Sequence, residues 1–465
     1  LNHRAEALQH YNTFLMKNFF NTFRNIYKVE ELRTKIGNTL LFLLIYRLGS
    51  FVVLPGVDPN ALGALKQQSS DGILGLLNMF SGGAFSNASI FALGIMPYIS
   101  ASIVIQLLSI AVPYFQKMQK EGESGRKKMN QLTRYLTVVI TAFQAPGYLA
   151  NLNSQLGVNA ISENTAYFWI SSTIILVAGT MFIMWLGEKI TDRGIGNGIS
   201  LIIMVGIISN LPAAIIAEFG SRIEQKGGGL VMFLIELVIL LFIVIFSIML
   251  VQGVRRIPVQ VAKRIQGNKQ VGGIRQYIPL RVNSAGVMPI IFAQAIMFIP
   301  ITVVGYAGIE SLQGVMQTFS NVTGFWYNFS FAVMIILFTY FYTAITVNPK
   351  NMAEEMKRSG GFVPGVQPGR QTAEYIDDIM SRITLPGAIF LALIAVLPAV
   401  AMMIGISNKF AQFYGGTSLL ILVGVVLDTL QQIESHLLMR QYDGLMKNTR
   451  IKGRTNTSSP VSMTS

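Results

Sequence analysis

Ten stretches of this chain are each apolar over about the length a hydrocarbon core demands, near residues 36–54, 88–112, 132–150, 168–187, 195–216, 230–251, 284–304, 326–347, 383–405 and 417–438. No other feature narrows the fold as far. In lipid every backbone amide and carbonyl must be paired within its own segment or in a closed barrel, and apolar segments of about 20 residues achieve this as helices. The expectation is an all-α polytopic membrane protein with ten transmembrane helices. Charge agrees, because only 12% of residues are charged where an average soluble domain has about 25%.

Several chemistries drop out at once. Cysteine is absent, and the three histidines, His3, His10 and His436, are too scattered to hold a metal. No HExxH or GxxxxGK[ST] pattern occurs, so neither an enzyme nor a metal or organic cofactor is expected. An intramembrane hydrolase would need a serine, paired aspartates or zinc, and Asp428 has no second aspartate in matching context. A secondary transporter would line a midplane pocket with ionisable groups. Residues before Met16 read as an extension. No apolar run precedes Thr34, so the first span is expected to serve as its own insertion signal. The Ser- and Thr-rich tail after Lys452 reads as disordered.

An even number of spans puts both termini on one side, and the basic residues say which. Of the 36 lysines and arginines, Lys66, Arg222, Lys226 and Lys409 fall on one side and Arg47 within the first span; the other 31 lie in segments of the opposite side. By the positive-inside rule that side, with both termini, is cytoplasmic. The formal net charge of +14 is then a property of one face, suited to anionic lipids or acidic partners. Two cytoplasmic loops, 252–282 and 348–382, are long and basic, carrying Arg255, Arg256, Lys263 and Arg264 in the first and Lys357, Arg358 and Arg370 in the second. Such charge serves topology alone or docks a soluble partner, and loop length favours docking.

Within the apolar stretches, four readings stay open on the residues themselves. Ile73, Leu74, Leu77 and Phe80 belong to a piece too short to span, broken from the next span by Ser81-Gly82-Gly83, which suits an external or re-entrant half-helix. Ile95 and Ile99, like Ile199 and Ile203, are four apart and share a helix face, which core packing or lipid contact would equally explain. Gln106, Asn197 and Asn283 are polar within spans and so face protein or water. Arg47, Glu236 and Asp428 read as buried structural groups or near-interface charges rather than a proton relay.

From residue 71 the chain runs DGILGLLNMFSGGAFSNASIFALGIMPYISASIVIQLLSIAVPYF, followed in order by DRGIGNGISLIIMVGI (192–207), RRIPVQVAKR (255–264), NSAGVMPIIFA (283–293), SGGFVPGVQPGRQTAEYIDDIMSRIT (359–384) and GGTSLLILVGVVLD (415–428). This series resembles the SecY/Sec61-alpha family over nearly the whole chain. The resemblance implies a protein-conducting channel: two pseudo-symmetric inverted halves of five spans, residues 36–216 and 230–438, joined by an external hinge at 217–229 and flanked by cytoplasmic segments 1–35 and 439–465. It implies a plug near 72–87 that includes Ile73, Leu74, Leu77, Phe80, Ser81, Gly82 and Gly83. It places Ile95, Ile99, Ile199, Ile203, Ile291 and Ile421 in an apolar pore ring, and Gln106, Asn197 and Asn283 in a polar cluster at a lateral gate. Arg255, Arg256, Lys263, Arg264, Lys357, Arg358 and Arg370 would dock the ribosome or the motor ATPase SecA. The family commonly has arginine where this chain has Gln367 and an acidic residue where it has Arg370. Implied partners are SecE, SecG, SecA, the ribosome, unfolded preproteins with signal sequences and anionic lipids, with SecDF and YidC as further candidates, in a bacterial cytoplasmic membrane.

Overall fold

The computed structural model describes residues 29–59, 62, 75, 78–156, 166–224, 229–261, 264–266, 269–271, 275–294, 296–297 and 321–448. Each of the ten apolar stretches meets helix within these residues. The helices of the first half are α1 (Glu30–Gly49), α2 (Met96–Ala111), α3 (Pro113–Lys120), α4 (Glu123–Leu156), α5 (Ala166–Arg193) and α6 (Gly198–Glu224). Those that follow are α7 (Gly229–Gln252), α8 (Phe325–Thr346), α9 (Pro349–Arg358), α10 (Arg370–Met403), α11 (Asn408–Ala411) and α12 (Gly416–Asn448).

Six of these elements are long and apolar enough to cross a membrane: α5, α6, α7, α8 continued through α9, α10 and the first 22 residues of α12. The pair α2 and α3, bent by 101°, makes a seventh if it is one broken span rather than a re-entrant loop. The bend follows from Pro113, whose ring drives the preceding Val112 into an extended conformation, φ −113° and ψ 121°, and ends α2. Helices α1 and α4 fall short of the same measure: the 20 residues of α1 include Glu30, Glu31, Arg33, Lys35 and Arg47, and the apolar part of α4 is interrupted by Gln144, Pro146 and Asn151.

The expectation of an all-α chain needs correction, because the fold is mostly helical with two small sheets. In the 252–282 loop, β1 (Val254–Val261) pairs antiparallel with β4 (Arg275–Arg281), in the register Val254↔Arg281 to Gln260↔Arg275. A short strand β5 (Gly361–Phe362), from the next loop, adds to the other edge of β1. Between β1 and β4, β2 (Arg264–Gln266) and β3 (Lys269–Val271) form a hairpin. The physical reason is a period-two pattern: Ile257 and Val259 are buried while Arg255, Arg256 and Pro258 are exposed. The buried face, with Leu280, closes on Met356 of α9, Val363, and Ile376 and Met380 of α10. Two long polar loops thus share one apolar core.

Elsewhere the interior divides into three clusters. One, around Leu54, Phe85, Tyr148, Leu149 and Leu176, holds the first-half helices together. A second, around Ile290, Phe292, Ile335, Leu391 and Leu420, serves α8, α10 and α12. The third lies between them and draws on both halves.

Candidate functional site

The six isoleucines come from four separate places. Ile95 caps the start of α2 and Ile99 sits one turn in; Ile199 and Ile203 are on α6; Ile291 lies in the helical turn 288–294; Ile421 is on α12. Folding brings all six into the middle cluster, with Ile95, Ile203 and Ile421 buried and Ile99, Ile199 and Ile291 half-buried against them. Ile99 and Ile291 also touch the second-half cluster, so they straddle the seam. A cleft of about 450 Å³ is lined by Asn321, Thr323, Asn328 and Gln412 among others and by none of the six. The six isoleucines pack into one apolar cluster, three buried and three half-buried. Their side chains are branched, stiff at χ1 and carry no polar atom.

Met79 and Phe80 are members of the same cluster. They end a short helical piece at residues 78–80, and Ile73, Leu74 and Leu77 lie outside the described residues. The piece stops in a Schellman arrangement: the amide of Gly83 donates to Asn78 O at 2.9 Å and that of Gly82 to Met79 O at 3.1 Å, with Gly82 at φ 65°. A Cβ at Gly206 of α6 would stand 2.8 Å from Phe80 O, so two glycines let backbone meet backbone. From the first span, Tyr46 Oη donates to Ser81 O at 3.1 Å and Arg47 Nη1 to Gly82 O at 2.5 Å. Arg47, ambiguous in sequence, therefore neutralises the carbonyl end of the segment that the resemblance assigns to a plug. From Ser81 to Ile95 the chain runs as turns, bridged to the end of α1 by Leu54 N to Ala88 O and Ile90 N to Val52 O, and the second span is helical only from Met96.

The polar trio does not converge through hydrogen bonds. Gln106 bonds Ser102 on its own helix at 3.3 Å. Asn197 is an exposed N-cap, its Oδ1 accepting from the amides of Ile199 and Ser200. Asn283 is buried, and its Oδ1 has no hydrogen-bond partner among the described residues. The contact between α6 and α12 is made instead by Gly196, whose amide donates to Gln432 Oε1 at 2.9 Å; Gln432 in turn lies 3.5 Å from Asp428. The Gly194–Gly198 run gives close approach, since a Cβ on Gly198 would overlap Gly187 O of α5.

The basic loops share one end of the molecule through their common core. Arg255 and Arg256 stand exposed on β1, and Lys357 and Arg358 close α9, where the helix dipole favours them. Arg264 lies on the backbone of β2, and Lys263 lies outside the described residues. Arg358 faces Glu354 at 3.9 Å, and Arg370 is held by Glu374 at 2.9 Å while remaining largely exposed. Gln367 bonds through its carbonyl to the Thr372 hydroxyl at 2.8 Å.

Sequence reasoning missed one cluster. Arg222, counted there only as an external charge, is buried between Glu218 and Glu236. The signal was present as an i, i+4 pair on α6 and as a single acidic residue in the otherwise apolar α7.

Comparison with known proteins assigns the fold. The SecY family model matches residues 89–430. The protein translocase subunit SecY of Vibrio cholerae is 43% identical over 437 residues, spanning 91% of this chain and 96% of that one. A solved structure described as "The structure of a protein conducting channel" superposes with a TM-score of 0.59 at 15% identity, covering 90% of this chain and 95% of the other. Sec61 in the canine ribosome-channel complex from the endoplasmic reticulum follows at 0.57 and 16%, with the same coverage. With a family model matched over most of its length and relatives this similar over nine-tenths of it, the chain belongs to the SecY family of protein translocase subunits.

Proposed function

We propose that this chain is the channel-forming subunit through which unfolded, signal-bearing polypeptides cross a bacterial cytoplasmic membrane, and from which apolar segments leave sideways into lipid. One observation carries the reading: six isoleucines from both halves meet in a single dry cluster with Met79 and Phe80. That is a seal, closed by a removable piece. The chain has ten spans in two inverted halves of five, 36–216 and 230–438, with the hinge at 217–229 and both termini cytoplasmic. Residues 72–87 form the plug, and the isoleucine ring grips the translocating chain so that ions stay excluded. Gln106, Asn197 and Asn283 line the lateral gate, where polar groups hold it shut. A signal sequence leaves through that gate because lipid solvates about 20 apolar residues better than a wet passage does.

The chain supplies no energy of its own. Arg255, Arg256, Lys263 and Arg264, with Lys357, Arg358 and Arg370, dock SecA or the ribosome; ribosome docking is supported by the canine Sec61 neighbour, described in a ribosome-channel complex. SecE clamps the halves, SecG binds beside it, SecDF and YidC act downstream, and anionic lipids cover the basic face. The test is reconstitution of the chain with SecE and SecG in liposomes, with SecA, ATP and a signal-bearing precursor. Protease-protected precursor that requires both ATP and the signal is the expected result. Absence of protection, together with failure of ribosome-coupled insertion, overturns the reading.

A further inference from the structure

The Arg222 cluster joins the two halves at the hinge. Arg222 Nε contacts Glu218 Oε1 at 2.9 Å, one turn earlier on α6, while Nη2 reaches Glu236 Oε1 on α7 at 2.6 Å and Gly405 O beyond α10 at 2.9 Å. Glu218 Oε2 accepts the amide of Ser407 at 3.0 Å, and the Tyr414 hydroxyl donates to Glu236 O at 2.7 Å. Two residues of α6 therefore hold two separate pieces of the second half, α7 and residues 405–407. The side chains of Arg222, Glu218 and Glu236 are 8%, 1% and 2% exposed. Phe219, Phe233, Phe410 and Tyr414 pack around them in a chain of ring contacts with centroids 5.5 to 6.5 Å apart, which keeps water out. Backbone packing is equally close, because a Cβ on Gly229 at the start of α7 would overlap the Arg222 carbonyl.

Buried ions of this kind add little net stability over apolar residues of similar size, yet losing one partner strands a charge. Their effect is on geometry. We propose that Glu218, Arg222 and Glu236 form an ionic clasp that holds α6 to α7 and to residues 405–407, so that the halves keep contact at this point and separate elsewhere. The proposal rests on the channel reading above. A motion that parted α6 from residues 405–407 would cost Arg222 the Gly405 carbonyl and Glu218 the Ser407 amide. A rotation about the clasp would keep every bond.

The chain lacks cysteine, so Asp192→Cys on α5 and Glu434→Cys on α12, both exposed, give a unique pair for spin labels, one on each half. Distances are measured in lipid nanodiscs on the complex with SecE and SecG, without precursor. Arg222→Gln, and the apolar triple E218L/R222M/E236L, are expected to broaden the distribution and move its maximum by about 5 Å, the scale of one helical turn. Gly229→Ala, which wedges the hinge while leaving the three ions in place, is expected to shift it in the same sense. A triple variant that melts with the parent and keeps the parent's distribution overturns the clasp, as does a Gly229→Ala variant with an unmoved maximum. Precursor transport by the parent is scored separately; its absence would count against the channel reading while the distance result still judged the clasp.

Discussion

Replacing Arg47 with methionine tests how the seal is held. The substitution keeps an unbranched stem of similar reach but removes the charged donor to Gly82 O and the guanidinium 4.7 Å from the Phe51 ring centroid. A hydrogen bond from a charged donor contributes about 1.5–3 kcal/mol net. The Phe51 contact lies within α1 and its flank, so it is present whether or not the 78–83 segment is seated, and it cancels from the difference. At about 1.4 kcal/mol per tenfold, the displaced fraction should rise about 10- to 150-fold. Tyr46→Phe removes a neutral bond to Ser81 O worth about 0.5–1.5 kcal/mol, and should raise the same fraction about 2- to 12-fold. The assay is the open probability of the empty complex in planar bilayers, with a melting curve in detergent as control. Arg47→Met with unchanged conductance and unchanged melting would refute the idea that this arginine retains the segment. A leak that appeared only with a lowered melting temperature would refute it too.

Two further outcomes follow from the site. Ile203→Ala and Ile421→Ala each delete buried volume from the central cluster, which costs about 2–5 kcal/mol in well-packed cores; melting should fall, and ion leakage around an arrested precursor should rise. Arg255→Glu with Arg256→Glu reverses charge at two exposed β1 positions without touching Ile257 or Val259, so melting should hold while SecA and ribosome affinity drop, most steeply at low salt.

The helices were legible because lipid allows an apolar segment of about 20 residues few alternatives. The break at Gly82 was legible for a local reason, since a glycine following a short apolar run can take the left-handed turn that ends a helix. The sheet was hidden under its own charges: Val254–Val261 alternates, but two arginines and Pro258 mask the alternation, and its partner strands lie about 20 and 100 residues away in sequence, where loop closure gives no local signal. Asn197 was read as an intramembrane polar group, although asparagine before Gly198-Ile199-Ser200 is an N-cap pattern, and as a cap it serves. The membership of all six isoleucines in one cluster came from resemblance rather than from spacing. Spacing pairs Ile95 with Ile99 and Ile199 with Ile203, and nothing local links either pair to Ile291 or Ile421. Arg222 shows the same limit, with Glu218 visible one turn away and residues 405–407 brought in only by packing.

The continuity of α10 bears on how work done outside the membrane is felt inside it. Its 34 residues make a rod about 50 Å long at about 1.5 Å per residue. One end carries Ile376 and Met380, wedged into the sheet beneath Arg255 and Arg256; further along, Leu391 and Ile394 are set in the cluster that Ile99 and Ile291 straddle. A displacement of the sheet would therefore be carried to that cluster along a single piece of secondary structure. Pro386 and Pro398, inside that rod, each omit a backbone hydrogen bond and give it its places to flex.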